Sequence, residues 1–165
     1  MILAEIKISR YPGFVRGLVL KETEQWIVLK RNLVDYVLDG YMFINKAYVK
    51  RINLLPPDSL DAQIVSLKQE GKAILPDWID PDRLLLSLCE AGTLVDIGLE
   101  SQDYVLVGYI VSVAEKSFRL RMIGTKGEML NDIRIASDKI RTLVTDSDYL
   151  QSLEMYRQWK KDSNK

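Results

Sequence analysis

The chain has no histidine among its 165 residues. That removes both the side chain most often used as a general base and the commonest metal ligand. It has one cysteine, Cys89, which excludes an internal disulfide and a thiolate zinc cage. Neither sign of charge is in excess. Lys plus Arg number 23 and Asp plus Glu number 23, for a formal net charge of +0. A chain that neutralises many phosphates usually carries a basic surplus, so global charge gives no support to RNA as a partner. Long hydrophobic runs are missing too. The stretch Leu84-Leu85-Leu86-Ser87-Leu88-Cys89 falls far short of the ~20 residues a spanning helix needs. Residues 1–10 alternate charge with apolar side chains and hold no signal-peptide core. These absences predict a cytoplasmic protein with no membrane partner. The sequence also lacks a glycine-rich phosphate loop, a Gly-x-Ser-x-Gly elbow and metal-ligand spacing. No catalytic residue, metal ligand or cofactor site is therefore expected, and the chain reads as a non-enzyme.

What is present is ordinary globular composition, 47% apolar and 28% charged, in a length that fits one domain or two very small ones. The first third reads as strands. Ala4, Ile6 and Ile8 alternate with Glu5 and Lys7, a period of two that puts the apolar side chains on one face. Tyr11-Pro12-Gly13 is a turn signal. Phe14 to Lys21 and Trp26 to Arg31 flank the polar Glu22–Gln25 and predict a hairpin. Asp39-Gly40 precedes Tyr41-Met42-Phe43-Ile44, and Tyr48 to Ile52 completes five strands.

The middle reads as helical. After Pro56-Pro57, Asp58 or Ser59 is a cap for a helix with Leu60, Ile64 and Leu67 on one stripe, ended by Gly71. Asp80-Pro81 starts a second helix with Leu85, Leu88 and Cys89 inward and Gly92 just beyond its end. Strands return at Val95, Ile97 and Leu99, then Tyr104–Val113, Phe118–Ile123, Ile133 with Ile135, and Ile140 with Leu143. A last helix from Asp146 carries Leu150, Leu153 and Tyr156 or Arg157. Trp159 is expected to dock it, together with Tyr156 and Leu153.

Residues 3–52 slide onto 94–143 at a fixed offset of 91 without a gap. Gly17 falls on Gly108, Glu24 on Glu115, Leu29 on Leu120, Ile44 on Ile135, Leu3 on Leu94 and Ile6 on Ile97. Within this pattern, Leu85 to Val144 resembles an Sm-like, or more broadly SH3-like, small β-barrel. It has a helix, then Val95-Asp96-Ile97-Gly98-Leu99, a glycine inside a long second strand at Gly108, then Phe118-Arg119-Leu120. Val15 to Ile52 shows the same order. The resemblance implies a mainly β fold with helices: two five-stranded barrels at 1–53 and 93–145, a two-helix connector at 54–92, and a C-terminal helix and tail at 146–165. It implies no RNA site. The positions of that family's nucleobase pocket read Glu24-Gln25-Trp26-Ile27 with Asn45-Lys46-Ala47, and Glu115-Lys116-Ser117-Phe118 with Ala136-Ser137-Asp138.

Charge is unevenly spread. Residues 1–53 hold nine basic and five acidic side chains, a net of +4, and residues 54–92 hold three and seven, a net of −4. Lys30, Arg31, Lys46, Lys50 and Arg51 lie close in sequence to Trp26 and Tyr48. These seven are the candidate residues for binding a partner or RNA, as aromatics for stacking with cations for phosphate. The competing reading makes them ordinary outward strand positions, and it is favoured. The acidic run Asp77–Asp82 lacks the ligand spacing of a calcium loop and reads as a helix start. Small units of this kind bury little core, so they are expected to pack together or pair edge strands, within the chain or as a homodimer. The expected role is a protein-interaction module, with RNA binding by the basic face of the first unit as the alternative.

Overall fold

A computed structural model describes residues 1–69 and 74–165. Its centre is one ten-stranded antiparallel sheet. The strands in chain order are β1 Ile2–Ile8, β2 Phe14–Glu22, β3 Trp26–Val34, β4 Val37–Asn45, β5 Val49–Leu54, β6 Leu94–Gly98, β7 Val105–Val113, β8 Ser117–Ile123, β9 Met129–Ala136 and β10 Thr142–Thr145. They lie side by side as β5-β1-β2-β3-β4-β10-β6-β7-β8-β9. Three α-helices accompany them: α1 Leu60–Gln69, α2 Leu84–Ala91 and α3 Asp148–Ser163.

This corrects the expected architecture of two closed five-stranded barrels joined by a two-helix connector. The fourth strand of the first set does not turn back on its own fifth strand. It pairs instead with β10, Thr142 opposite Ile44, Leu143 opposite Phe43, Val144 opposite Met42 and Thr145 opposite Tyr41. The backbone groups on the outer edge of β4 are thereby satisfied across the chain, and the two five-strand sets merge into one open sheet.

Double-sided burial explains why β3 and β4 accept neighbours on both flanks. Trp26, Val28, Tyr41 and Phe43 join a core with Val95, Ile97, Ile110, Phe118, Leu120, Ile135, Ile140 and Leu143, capped by Leu84 and Leu88 of α2. Alternate residues of the same strands, Ile27, Leu29, Met42 and Ile44, enter a second core with Ala4, Ile6, Ile8, Tyr11, Val15 and Val144. A strand covered on both faces reads as an unbroken apolar run, as Tyr41-Met42-Phe43-Ile44 does.

Elements recur at the 91-residue offset. Strands β2 and β7 begin and end 91 residues apart, as do single 3-10 turns at Lys46–Tyr48 and Ser137–Lys139. A bulge between Val19 and Lys21 recurs between Ile110 and Ser112, and one between Lys30 and Asn32 recurs between Arg121 and Ile123. Lys46 N–H donates to Gln25 O at 2.9 Å as Ser137 N–H donates to Lys116 O at 3.0 Å. At both Gly17 and Gly108 the neighbouring backbone leaves no room for a side chain. A Cβ would lie 2.5 Å from Lys30 O in one case and 2.3 Å from Arg121 O in the other.

Smaller expectations also shift. Strand β4 starts at Val37, ahead of Asp39-Gly40, after a turn at Asp35 and Tyr36. Gly40 has φ +69° inside the strand, where a Cβ would meet Thr145 O at 2.8 Å. On α1 the buried residues are Ala62 and Val65, packed on Leu3 and Leu18, whereas Leu60 and Leu67 are exposed. The helix therefore docks through small and β-branched side chains that fit close to the sheet, and the larger leucines are left outside. Gly71 lies outside the described residues. Helix α3 docks by Leu150 and Leu153 against Leu94 and Ile123. Trp159 does not dock it: it is 61% exposed and stacks on Tyr156 with ring centroids 5.8 Å apart.

Candidate interaction surfaces

The seven candidate residues do not form one face. Trp26 is 3% exposed and part of the main core, so its ring offers no stacking surface. Lys30 lies 4.2 Å over the Tyr41 ring; burial holds its pKa down, against the pull of Asp146 and Asp39. Arg31 is tied to Asp39, by Nε to the backbone carbonyl at 3.0 Å and Nη2 to the carboxylate at 2.9 Å. Lys46 pairs with Glu22 at 2.7 Å and donates to Thr23 O at 3.1 Å. Lys50 and Arg51 are exposed on an outer strand, with Arg51 Nε donating to Asn53 Oδ1 at 3.0 Å. Tyr48 belongs to the junction of the two strand sets.

That junction is a dense polar latch. Tyr11 Oη and Thr142 Oγ1 are hydrogen-bonded at 2.7 Å, and Asn45 Nδ2 donates to Ile140 O at 2.9 Å. Tyr48 Oη donates to Asp138 O at 2.5 Å. The Arg141 guanidinium stands 4.3 Å over the Tyr48 ring, with Nε donating to Ser9 O at 3.1 Å and Nη1 to Leu99 O. Charge-assisted hydrogen bonds of this kind are among the stronger ones. Arg141→Met keeps the stem and loses the donors, so it is expected to destabilise the fold by about 2 kcal/mol in urea unfolding. An unchanged midpoint and slope would show that the latch adds nothing.

The latch leaves β5 and β9 as the two outer strands of the sheet. On β5, Ile52 and Leu54 are 46% and 60% exposed; on β9, Met129 and Leu130 are 48% and 46% exposed. Backbone direction follows from the alternation of an antiparallel ladder. Leu55 N–H donates inward to Leu3 O, so Asn53 and Arg51 also face β1, and Ile52 and Leu54 point their N–H groups outward. Ser137 N–H donates to Lys116 O, so Ile135 and Ile133 face β8, and Ala136 and Arg134 point outward.

One titrating group stands out away from these edges. Asp96, in the middle of β6 between Val144 and Val107, has its pKa pushed up to about 6 by burial, with Arg31 pulling the other way. Among the described residues, no group of three His, Cys, Asp or Glu side chains is placed to hold a metal, and no helix is long and apolar enough to cross a membrane. No family model, curated protein or solved structure matches the chain.

Sequence reasoning missed the junction, though it left a trace. Thr142-Leu143-Val144-Thr145 is buried at all four positions, threonines included. A short run with no outward residue marks a strand enclosed on both faces and both edges.

Proposed function

We propose that this chain is a non-catalytic protein-interaction module that binds protein partners by strand addition to its open sheet edges. The observation that carries the reading is the pair of outer strands, unpaired on their outer sides among the described residues, each presenting outward N–H and C=O groups beside exposed apolar side chains. Natural edges are commonly blunted by proline, charged side chains, bulges or a covering element; β5 and β9 contain no proline, and each carries two charged side chains and one bulge. Extended peptides add to such edges through main-chain hydrogen bonds, with alternate side chains giving specificity.

The test is capture from cell lysate by tagged protein, split into nuclease-treated and untreated halves and repeated with Ile52→Pro and Arg134→Pro. Proteins retained after nuclease and lost from one of the edge variants support the reading. Partners lost with nuclease, alongside enriched RNA, overturn it. In that case Lys50→Glu with Arg51→Glu is expected to abolish RNA retention, and wild-type affinity to fall steeply between about 50 and 200 mM salt. Direct filter binding at several salt concentrations decides it. With Trp26 buried and Arg31 and Lys46 neutralised by Asp39 and Glu22, no salt-dependent binding is expected.

A further inference from the structure

Resting on that reading, we propose that the partner of one open edge is a second copy of this chain, with β9 of one copy pairing antiparallel to β5 of the next. The argument lies in the joint already inside the molecule. Strand β4 pairs with β10. Strand β9 occupies the place of β4 at the 91-residue offset, and β5 the place of β10. The same bulge and turn hydrogen bond accompany β4 and β9, and the same 3-10 turn precedes β5 and β10. The chain therefore carries the two halves of its internal joint once more, unpaired among the described residues, at opposite ends of the sheet.

Transferring the internal register by 91 residues sets Arg51 opposite Ile135, Ile52 opposite Arg134, Asn53 opposite Ile133 and Leu54 opposite Asp132. The exposed backbone agrees with that register. Across the internal joint Asn45 N–H donates to Arg141 O at 2.9 Å. The corresponding N–H and C=O belong to Ala136 and Lys50, and Arg134 and Ile52 face outward two residues further along each strand. Donors and acceptors are thus complementary without any rearrangement of either edge.

The outer joint is the weaker one. Where Arg141 stacks on Tyr48 in the internal joint, the corresponding residues are Lys50 and Lys139, two cations. Their repulsion is screened by salt, so association is expected to tighten as ionic strength rises. Because the two edges differ, the contact is head-to-tail. It closes into a ring or grows into a filament according to the rotation between copies.

The experiment measures mass by light scattering and native mass spectrometry over a wide concentration range for wild type, Ile52→Pro and Arg134→Pro. Each proline removes an outward N–H and leaves the inward ladder of its strand intact. Wild type is expected to assemble beyond the monomer. Each variant alone is expected to stay monomeric, because one member of the joint is blocked on every copy. An equimolar mixture is expected to form a one-to-one pair that grows no further, with the free β9 of Ile52→Pro on the free β5 of Arg134→Pro. Three results overturn the inference: a wild type that is monomeric throughout, a variant that self-associates alone, or a mixture that stays monomeric while wild type assembles. If a variant loses its circular dichroism signature, Ala136→Pro replaces Arg134→Pro, since the backbone there already has φ −69°. For β5 the replacement is Ile52→Arg with Leu54→Asp, which sets like charges against Arg134 and Asp132. A monomeric wild type that still loses captured proteins in the edge variants would end the second-copy inference and leave the interaction reading standing.

Discussion

Phe43→Ala is expected to lower the unfolding free energy by about 3–5 kcal/mol, the range for truncating a fully buried aromatic whose site cannot collapse. Phe43 is 0% exposed and sits on β4 opposite Leu143 of β10, in the core shared with Val28, Val95, Phe118 and Leu120. Its neighbours come from strands locked on both flanks by ladder hydrogen bonds, so little relaxation is available to fill the cavity. For a chain of this length that loss is a fall of roughly 10 °C in melting temperature. The position also reports on cooperativity. Because this core takes residues from both strand sets, wild type and variant are expected to melt in a single calorimetric transition. Two resolved transitions, with Phe43→Ala moving only one, would show that the halves unfold separately. Trp159→Ala, at the exposed end of α3, serves as the control and is expected to stay within about 0.5 kcal/mol of wild type.

How far the fold was legible follows from which interactions are local. The alternation of Ala4, Ile6 and Ile8, the hairpin at Glu22–Gln25 and the Asp80-Pro81 helix start each rest on neighbours in sequence. The structure has β1 and the β2–β3 hairpin at those places, while Asp80 caps a 3-10 turn at Pro81–Arg83 and α2 itself starts at Leu84. The partner of β4 is a different matter. Tyr41-Met42-Phe43-Ile44 announces burial on both faces, yet nothing in those residues says which strand lies beyond, since β10 is about a hundred residues away. Closure into a barrel and extension into a shared sheet satisfy the same local pattern. Only long-range pairing distinguishes them. The candidate binding residues are scattered for a related reason. Trp26 and Lys30, four residues apart, share one face of β3, but that face is the main core; Arg31, one residue further, faces the other way. Trp26 points into the main core, and the ion partners of Arg31 and Lys46 come from neighbouring strands. The expectation that the two units pack together or pair edge strands names no strand for the pairing.

Asp96→Asn is expected to stabilise the protein by about 2–3 kcal/mol near pH 7.5, and by progressively less as the pH falls toward 4. Period-two alternation turns Val95 and Ile97 into the main core, so Asp96 faces the other side of β6, beside Val144 and Val107. Burial there disfavours the charged carboxylate and lifts its pKa to about 6, against an ordinary value of 3.8. The folded state therefore binds a proton that the unfolded state releases throughout the interval between those values. This group's contribution is favourable below the unfolded pKa and is lost as pH rises through about 6. About two pKa units correspond to about 3 kcal/mol at pH above both values. An amide at this position carries no charge to desolvate, so the variant escapes the penalty at neutral pH and gains nothing in acid. Urea unfolding of both proteins from pH 4 to pH 8 separates this from a packing effect. A gap that opens between pH 4 and 7 supports titration of Asp96; a gap that is constant with pH assigns the difference to packing alone. Arg31 sharpens the comparison, because it lies between two acids with opposite roles. Asp39 holds its guanidinium at 2.9 Å and accepts from Asp148 N–H at the start of α3, at 2.7 Å. Asp96 feels the same guanidinium only at a distance, and burial outweighs that pull. One carboxylate therefore supports the junction between β4 and α3, while the other weakens the sheet at neutral pH.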